Sequence, residues 1–205
     1  QGINASARDG RYQVVGPVGF GDCGAPSEPP AHGPVASVFD LVPVHRALIF
    51  KRPKLTSFQQ EEVVLDYLED VFAAARDAGF TILFKPKSYF GLDPEAPPTS
   101  WPRMTRRYRD LIDAYGCHLA PYGISVMRVA AMSDVCVGFP FTSSASAGHL
   151  LGVPSIYYDP TETLGPFEAL GQGAPLVMGR DALCDWFAGQ AARAGGALAE
   201  RERSA

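Results

Sequence analysis

The stretch Ser133–Pro160, SDVCVGFPFTSSASAGHLLGVPSIYYDP, sets the architecture that we predict for this chain. A short apolar run, VCVGF, is followed by the hydroxyl triplet Thr142-Ser143-Ser144, a helix of small residues and a second apolar run that ends at Asp159. The pattern predicts strand, turn, helix and strand. Because the free N–H groups of a first helical turn and nearby hydroxyls face one point, it also predicts an anion-binding site.

The same alternation of strands and helices extends over the rest of the chain. The predicted strands are 34–41, 80–84, 117–120, 135–139, 155–158 and 175–178. Predicted helices are one capped by Thr56 or Ser57 and stopped by Gly79, and others at 103–115, 124–132, 144–152, 161–170 and 181–194. Continuously apolar strands that alternate with amphipathic helices predict a parallel sheet covered on both faces. We therefore expect an α/β fold, a doubly wound, Rossmann-like domain.

The sequence divides into three predicted parts. Residues 1–33 form an N-terminal segment, with one brief strand, and a linker rich in proline and glycine. Residues 34–196 form the α/β domain, and the charged tail 197–205 is expected to fray. Because the chain starts without methionine, we expect a part of something longer.

Composition excludes several classes of function. The chain has 205 residues, of which 46% are hydrophobic and 20% charged, as in ordinary globular proteins. A net charge of −4 gives no general basic field, which argues against nucleic acid as a partner. Apolar runs are shorter than a membrane span and no signal-peptide pattern opens the chain, so we expect a cytoplasmic protein.

Cysteine and histidine spacing predicts no metal site. The four cysteines lack any C-x-x-C pair, and the four histidines lack ligand spacing. Cys117 and Cys136 fall in predicted core strands, where a thiol acts as a small hydrophobe.

The residues that follow the predicted strands carry the candidate chemistry, because ligands of such folds bind beyond the carboxyl ends of the strands. They are Asp40, Lys85, Pro86, Lys87, Thr142, Ser143, Ser144 and Asp159, with Arg46 in the loop after the first strand. Cations and helix N–H groups neutralise phosphate, and carboxylates accept hydrogen bonds from sugar hydroxyls. The set therefore predicts a phosphorylated ligand that carries a sugar.

Each of these residues also has a structural interpretation, which stays open at this point. Thr142 or Ser143 would cap the helix, and a lysine pair after a strand is often solvated surface. Asp40 and Asp159 would each fix a turn. Hydrolase, P-loop nucleotidase and nicotinamide-dependent dehydrogenase are disfavoured, because G-x-S-x-G and G-x-x-x-x-G-K-[ST] motifs do not occur and no G-x-G-x-x-G follows the first strand at 34–41.

Three stretches, VFDLVPVHR (38–46), ILFKPK (82–87) and Ser133–Pro160, together resemble a known family. They are similar to the C-terminal, donor-binding half of GT-B glycosyltransferases of bacterial surface-polysaccharide biosynthesis. The likeness is greatest to enzymes that use CMP-activated acidic sugars, the Kdo- and sialyl-transferring types. Lys85-Pro86 and Ser143-Ser144 look like the two elements that contact CMP in those families. A weaker likeness exists to polyol-phosphate polymerases that use CDP-polyols.

The resemblance implies a glycosyltransferase that moves an acidic sugar from a CMP donor to a glycan or glycolipid acceptor. The donor is a substrate, and no cofactor is expected. By this likeness Ser143, Ser144 and Lys85 would hold the phosphate, and Asp40 and Asp159 would be catalytic residues in contact with sugar or ribose. A separate N-terminal GT-B domain would bind the acceptor and supply the base, and the enzyme would associate peripherally with the inner face of the membrane.

Two departures from the family pattern bear on that implication. No acidic residue lies between Thr142 and Tyr158, where many GT-B enzymes carry a glutamate that binds the donor. The chain also has residues for one such domain, whereas a GT-B enzyme needs two. A CDP-polyol phosphotransferase and a non-catalytic Rossmann-like binding module remain the alternatives.

Overall fold

Six parallel strands form one sheet in this computed structural model, which describes residues 33–44, 58–96, 101–140, 142–164 and 173–204. The strands are β1 (Val35–Phe39), β2 (Thr81–Lys85), β3 (His118–Leu119), β4 (Val135–Gly138), β5 (Ser155–Asp159) and β6 (Leu176–Met178). Their order across the sheet is β3-β2-β1-β4-β5-β6. The chain therefore winds in one direction from β1 to β3 and in the other from β4 to β6, as in doubly wound α/β domains.

Five helices connect or follow these strands in the described ranges. They are α1 (Glu61–Asp77), α2 (Pro102–Tyr115), α3 (Val126–Ala131), α4 (Ser144–Leu150) and α5 (Arg180–Ser204). Helix α1 contacts α2 and α5, while α3 contacts α4. The two groups cover opposite faces of the sheet, as right-handed crossovers require.

The hydrophobic core lies in two layers, one on each face. The larger layer joins α1, α2 and α5 to side chains of the sheet, and its fully buried aromatic residues include Tyr67, Phe72, Phe84 and Tyr108. The smaller layer packs α3 on Phe39, Leu83 and Cys136. Successive strand residues alternate between the layers, because side chains of a strand point to opposite faces in turn.

The fold class predicted from the sequence, α/β with a parallel Rossmann-like sheet, is confirmed. The six strands of the predicted domain are all present, and Gly79, with a φ of +83°, follows the end of α1 as predicted. The brief strand predicted before residue 21 lies outside the described residues.

Three predicted helix boundaries were wrong. Helix α1 begins at Glu61 after Gln60, whose side chain makes no capping hydrogen bond; the predicted caps, Thr56 and Ser57, lie outside the described residues. Residues 161–164 form a loop instead of a helix, because Asp159 binds the backbone N–H groups that follow it. Helix α5 continues to Ser204 through the tail expected to fray, whose Ala, Leu, Glu and Arg residues are strong helix formers.

None of the helices within the described ranges is both long and apolar enough to cross a membrane.

Candidate functional site

A row of four residues crosses the sheet at the carboxyl ends of the strands. Lys85 pairs with Phe39, Phe39 with Gly138, and Gly138 with Tyr157. Residues in register point to the same face, and Phe39 belongs to the layer that packs against α3. The row spans the point between β1 and β4 where the winding direction reverses, which is where open α/β sheets bind ligands.

The hydroxyl triplet lies in the turn that joins β4 to α4. Thr142 Oγ1 donates to the carbonyl oxygen of Phe139 at 2.7 Å and lies 2.8 Å from Ser144 Oγ. Ser143 is the N-cap residue of α4, yet its exposed side chain makes no capping hydrogen bond. The capping interpretation therefore does not account for the hydroxyl of Ser143.

Tyr157 supports this turn from the neighbouring strand, a role that sequence reasoning missed. Its buried phenol donates to the carbonyl oxygen of Thr142 at 2.8 Å and lies 2.9 Å from Ser146 Oγ. The two hydrogen bonds fix the turn and the first turn of α4 to β5. The sequence carried no local signal for this contact, because it depends on the register of β4 and β5.

Gly138 allows β4 to approach α4 closely. A Cβ atom at this position would lie 2.8 Å from Ser144 Oγ and 3.0 Å from the backbone nitrogen of Ala145. Any larger residue would thus displace the first turn of α4. Gly138 therefore lets the backbone nitrogen of Ala145, in the first turn of α4, lie directly against the end of β4.

Lys85 stands at the opposite end of the row, at the end of β2. Burial lowers the pKa of its half-buried ammonium group, while the charge of Asp40 acts in the other direction. Its Nζ lies 5.5 Å from the centre of the Tyr89 ring. Since two inter-strand steps of about 4.8 Å separate β2 from β4, the backbones of Lys85 and Gly138, after which the hydroxyl turn follows, lie roughly 10 Å apart. Pro86, which follows, is buried, and the side chain of Lys87 is exposed.

Asp40 follows Phe39 and points to the other face of the sheet. Its carboxylate accepts hydrogen bonds from the backbone N–H of Lys87 and from the phenol of Tyr108 on α2. Only 3% of the residue is exposed. Burial raises the pKa of Asp40 from 3.8 to about 7, although both hydrogen bonds favour the charged form. Tyr108 is a second residue that sequence reasoning missed.

Asp159 is fully buried and binds the loop that follows β5. It accepts hydrogen bonds from the N–H and hydroxyl of Thr161, from the N–H of Thr163 and from the N–H of Leu164, at 2.7 to 3.1 Å. These four contacts occupy both carboxylate oxygens. The turn-fixing interpretation accounts for this geometry without a ligand.

The structure thus brings together some of the predicted site residues and separates others. Lys85 and the turn of Thr142, Ser143 and Ser144 share one edge and one face of the sheet. The two aspartates point into the protein, and Arg46 lies outside the described residues. The arrangement offers a cation, hydroxyls and helix N–H groups to an anionic ligand.

Comparison with known proteins identifies a family to which the chain is similar. The family model described as "Polysaccharide biosynthesis PFTS motif protein" matches residues 4–187, which include the whole row and the hydroxyl turn. No curated protein matches the chain.

Proposed function

The chain belongs to the polysaccharide biosynthesis PFTS motif family, and on that premise we propose that its α/β domain binds the nucleotide-activated donor of a glycosyltransferase. The proposed donor is a CMP-activated acidic sugar, and the acceptor is a glycan or glycolipid. The proposed arrangement is the donor half of a GT-B enzyme, whose other domain binds the acceptor and supplies the base.

The observation that carries this proposal is that Lys85 and the hydroxyl turn lie on the same edge and face of the sheet, on either side of the β1–β4 switch point. Ser143 and Ser144, with the N–H groups of α4, would hold the phosphate and stabilise the departing nucleotide. The ammonium group of Lys85, on the other side of Phe39, would compensate the negative charge of the phosphate. Such fixed donors act through pre-organisation, since they need not rearrange when charge develops on the leaving group.

Isothermal titration calorimetry with CMP, CDP and UDP tests the donor assignment. We expect the cytidine nucleotides to bind and UDP to bind more weakly. The absence of binding by either cytidine nucleotide, or a preference for UDP, overturns the assignment. Binding of CDP-glycerol in preference to CMP would favour a CDP-polyol phosphotransferase, the runner-up from the same enzyme class.

A double variant, Ser143→Ala with Ser144→Ala, tests the role of the turn. We expect it to weaken CMP binding at least tenfold and to remove most of the transfer activity of the full enzyme. The matched control is Ser125→Ala, since Ser125 caps α3 by accepting the N–H of Arg128 at 3.1 Å. This control loses a helix cap of about 1 kcal/mol, and Ser125 follows β3, the edge strand that lies three positions from β4 in the sheet order. Equal affinity in the double variant and in the control would favour a non-catalytic binding module.

A further inference from the structure

Asp40 lies at the ligand edge of the sheet, by which we mean the carboxyl ends of the strands. Its own carboxylate, however, is not accessible to a ligand. Its Oδ1 accepts the Lys87 N–H and its Oδ2 accepts the Tyr108 hydroxyl, each at 2.5 Å. The residue is 3% exposed. A carboxylate this deeply buried, with an internal donor on each oxygen, is not accessible to a sugar hydroxyl. Its contacts are instead with the turn after β2 and with α2.

The turn after β2 is held at further points. The hydroxyl of Tyr89 donates to the carbonyl oxygens of Ala120 and Pro121, at 2.9 and 3.0 Å. Thr105 Oγ1 on α2 donates to the carbonyl oxygen of Phe90, which has a φ of +48°. A non-glycine residue at positive φ persists only where its surroundings hold it. The turn is therefore a fixed element, although it has no regular secondary structure.

We propose that Asp40 is a positioning residue: its carboxylate ties the Lys85–Pro86–Lys87 turn to α2 and β1, and so fixes both lysines at the ligand edge. Asp40 itself does not contact the ligand. The ligand in question is the anionic donor of the proposed function, on which this part of the inference rests. The attachment of the turn to Asp40 is independent of that function.

Asp40 acts through two separable properties, its acceptor atoms and its charge. The ionisable groups around it are Tyr67 of α1, Tyr108 of α2, and Lys85, Lys87 and Tyr89 of the turn and the strand before it. Among these, Lys85 and Lys87 are the cations. The charge of Asp40 raises the pKa of Lys85 against the effect of burial, and so favours the ammonium form that a phosphate requires.

Two substitutions separate the two properties. Asp40→Asn keeps an oxygen for the Lys87 N–H and an amide for the oxygen of Tyr108, but it removes the charge. Asp40→Ala removes both acceptors. Hydrogen exchange, measured by NMR for each amide, reports the Lys87 bond directly.

We expect the Lys87 amide of the wild-type chain to be protected, although it lies outside any strand or helix. Asp40→Ala should speed its exchange at least tenfold and weaken CMP binding about tenfold, and Asp40→Asn should restore most of the protection.

Fast exchange of Lys87 in the wild-type chain overturns the inference without any variant, so a failure of Asp40→Ala to fold does not matter. Protection that survives Asp40→Ala, or that Asp40→Asn fails to restore, overturns it as well. If the exchange pattern holds but no nucleotide binds, the positioning role stands and the donor assignment falls.

Discussion

Gly148 offers the sharpest test of how the hydroxyl turn is placed. This residue lies in the last part of α4, where the helix rests on β4 and β5. A Cβ atom at residue 148 would lie 2.2 Å from Ser155 Oγ, 2.8 Å from Cys136 Sγ and 2.9 Å from Cys136 Cβ. The Ser155 hydroxyl can rotate away only by losing its 2.7 Å bond to the carbonyl oxygen of Val153. The Cβ of Cys136 is fixed by the strand, so α4 must lift from the sheet.

The magnitude of this effect follows from two opposing contributions. Overpacking of a tight interface costs about 1–3 kcal/mol. Alanine in place of glycine inside a helix contributes about 0.5–1 kcal/mol in the other direction. Gly189 on α5 is the matched control, because a Cβ there meets no atom within 4 Å. Both variants gain the same stabilisation from alanine in place of glycine inside a helix. The difference in stability between Gly148→Ala and Gly189→Ala is therefore the cost of overpacking, about 1–3 kcal/mol.

Urea denaturation followed by circular dichroism measures both free energies of unfolding. We expect Gly189→Ala to be slightly more stable than the wild-type chain and Gly148→Ala to be less stable. Calorimetry with CMP then reports the site, where only Gly148→Ala should lose affinity because its α4 N-terminus has moved. Equal stability of the two variants would refute the close packing on which the geometry of the turn depends.

Three further predictions concern buried groups. Tyr67→Phe should lose about 0.5–1.5 kcal/mol in urea denaturation, because the Tyr67 phenol donates to the carbonyl oxygens of Phe39 and Val137 at 3.0 and 3.2 Å, and both contacts would be lost although the Phe39 oxygen keeps the N–H of Phe139. Asp40→Asn should gain stability over the wild-type chain between pH 4 and 7, by up to about 4 kcal/mol, and hold that gain at higher pH. The reason is that the pKa of Asp40 is about 7 in the fold and 3.8 ordinarily, so its ionisation opposes folding as pH rises. Urea denaturation at several pH values measures the difference in free energy of unfolding between the two chains. A difference that grows below pH 4 instead would show that the sign of this prediction is wrong. Cys184, which is exposed, should react with iodoacetamide in the native chain, whereas Cys136, whose pKa burial raises to about 12, should react only in urea, as peptide mass spectrometry will show.

Much of the fold was predictable because its signals are local. A short apolar run such as Val135–Gly138 predicts a buried strand when small-residue or amphipathic helices flank it. The helix ends were less predictable. The sequence after Asp159 predicts a helix at 161–170. The Asp159 carboxylate, however, accepts four hydrogen bonds from the residues that follow it, and these bonds stabilise a loop at 161–164. That competition depends on burial of the carboxylate, which the sequence does not reveal.

The candidate site was predictable only as a set of positions. Parallel strands place all their carboxyl ends at one edge, which is why Lys85 and the hydroxyl turn were identified together. The partners Tyr108 and Tyr157 were missed, since each binds a group on a different strand or turn through register and helix packing. Asp40 shows the consequence: the sequence left open a ligand contact or a turn-fixing role, and the structure shows its carboxylate buried and bonded to Lys87 and Tyr108.

The placement of two acidic residues explains how a chain with a net charge of −4 can have the anion-binding edge that we propose. Asp40 and Asp159 follow β1 and β5, yet both are buried and bonded to donors of the protein itself. Their charges are therefore not offered to a ligand. What remains for a ligand on this part of the described edge are the ammonium groups of Lys85 and Lys87, the hydroxyls of Ser143 and Ser144, and the N–H groups that begin α4. The local field at the switch point is thus set by which charges have internal partners, and the total charge of the chain does not determine it.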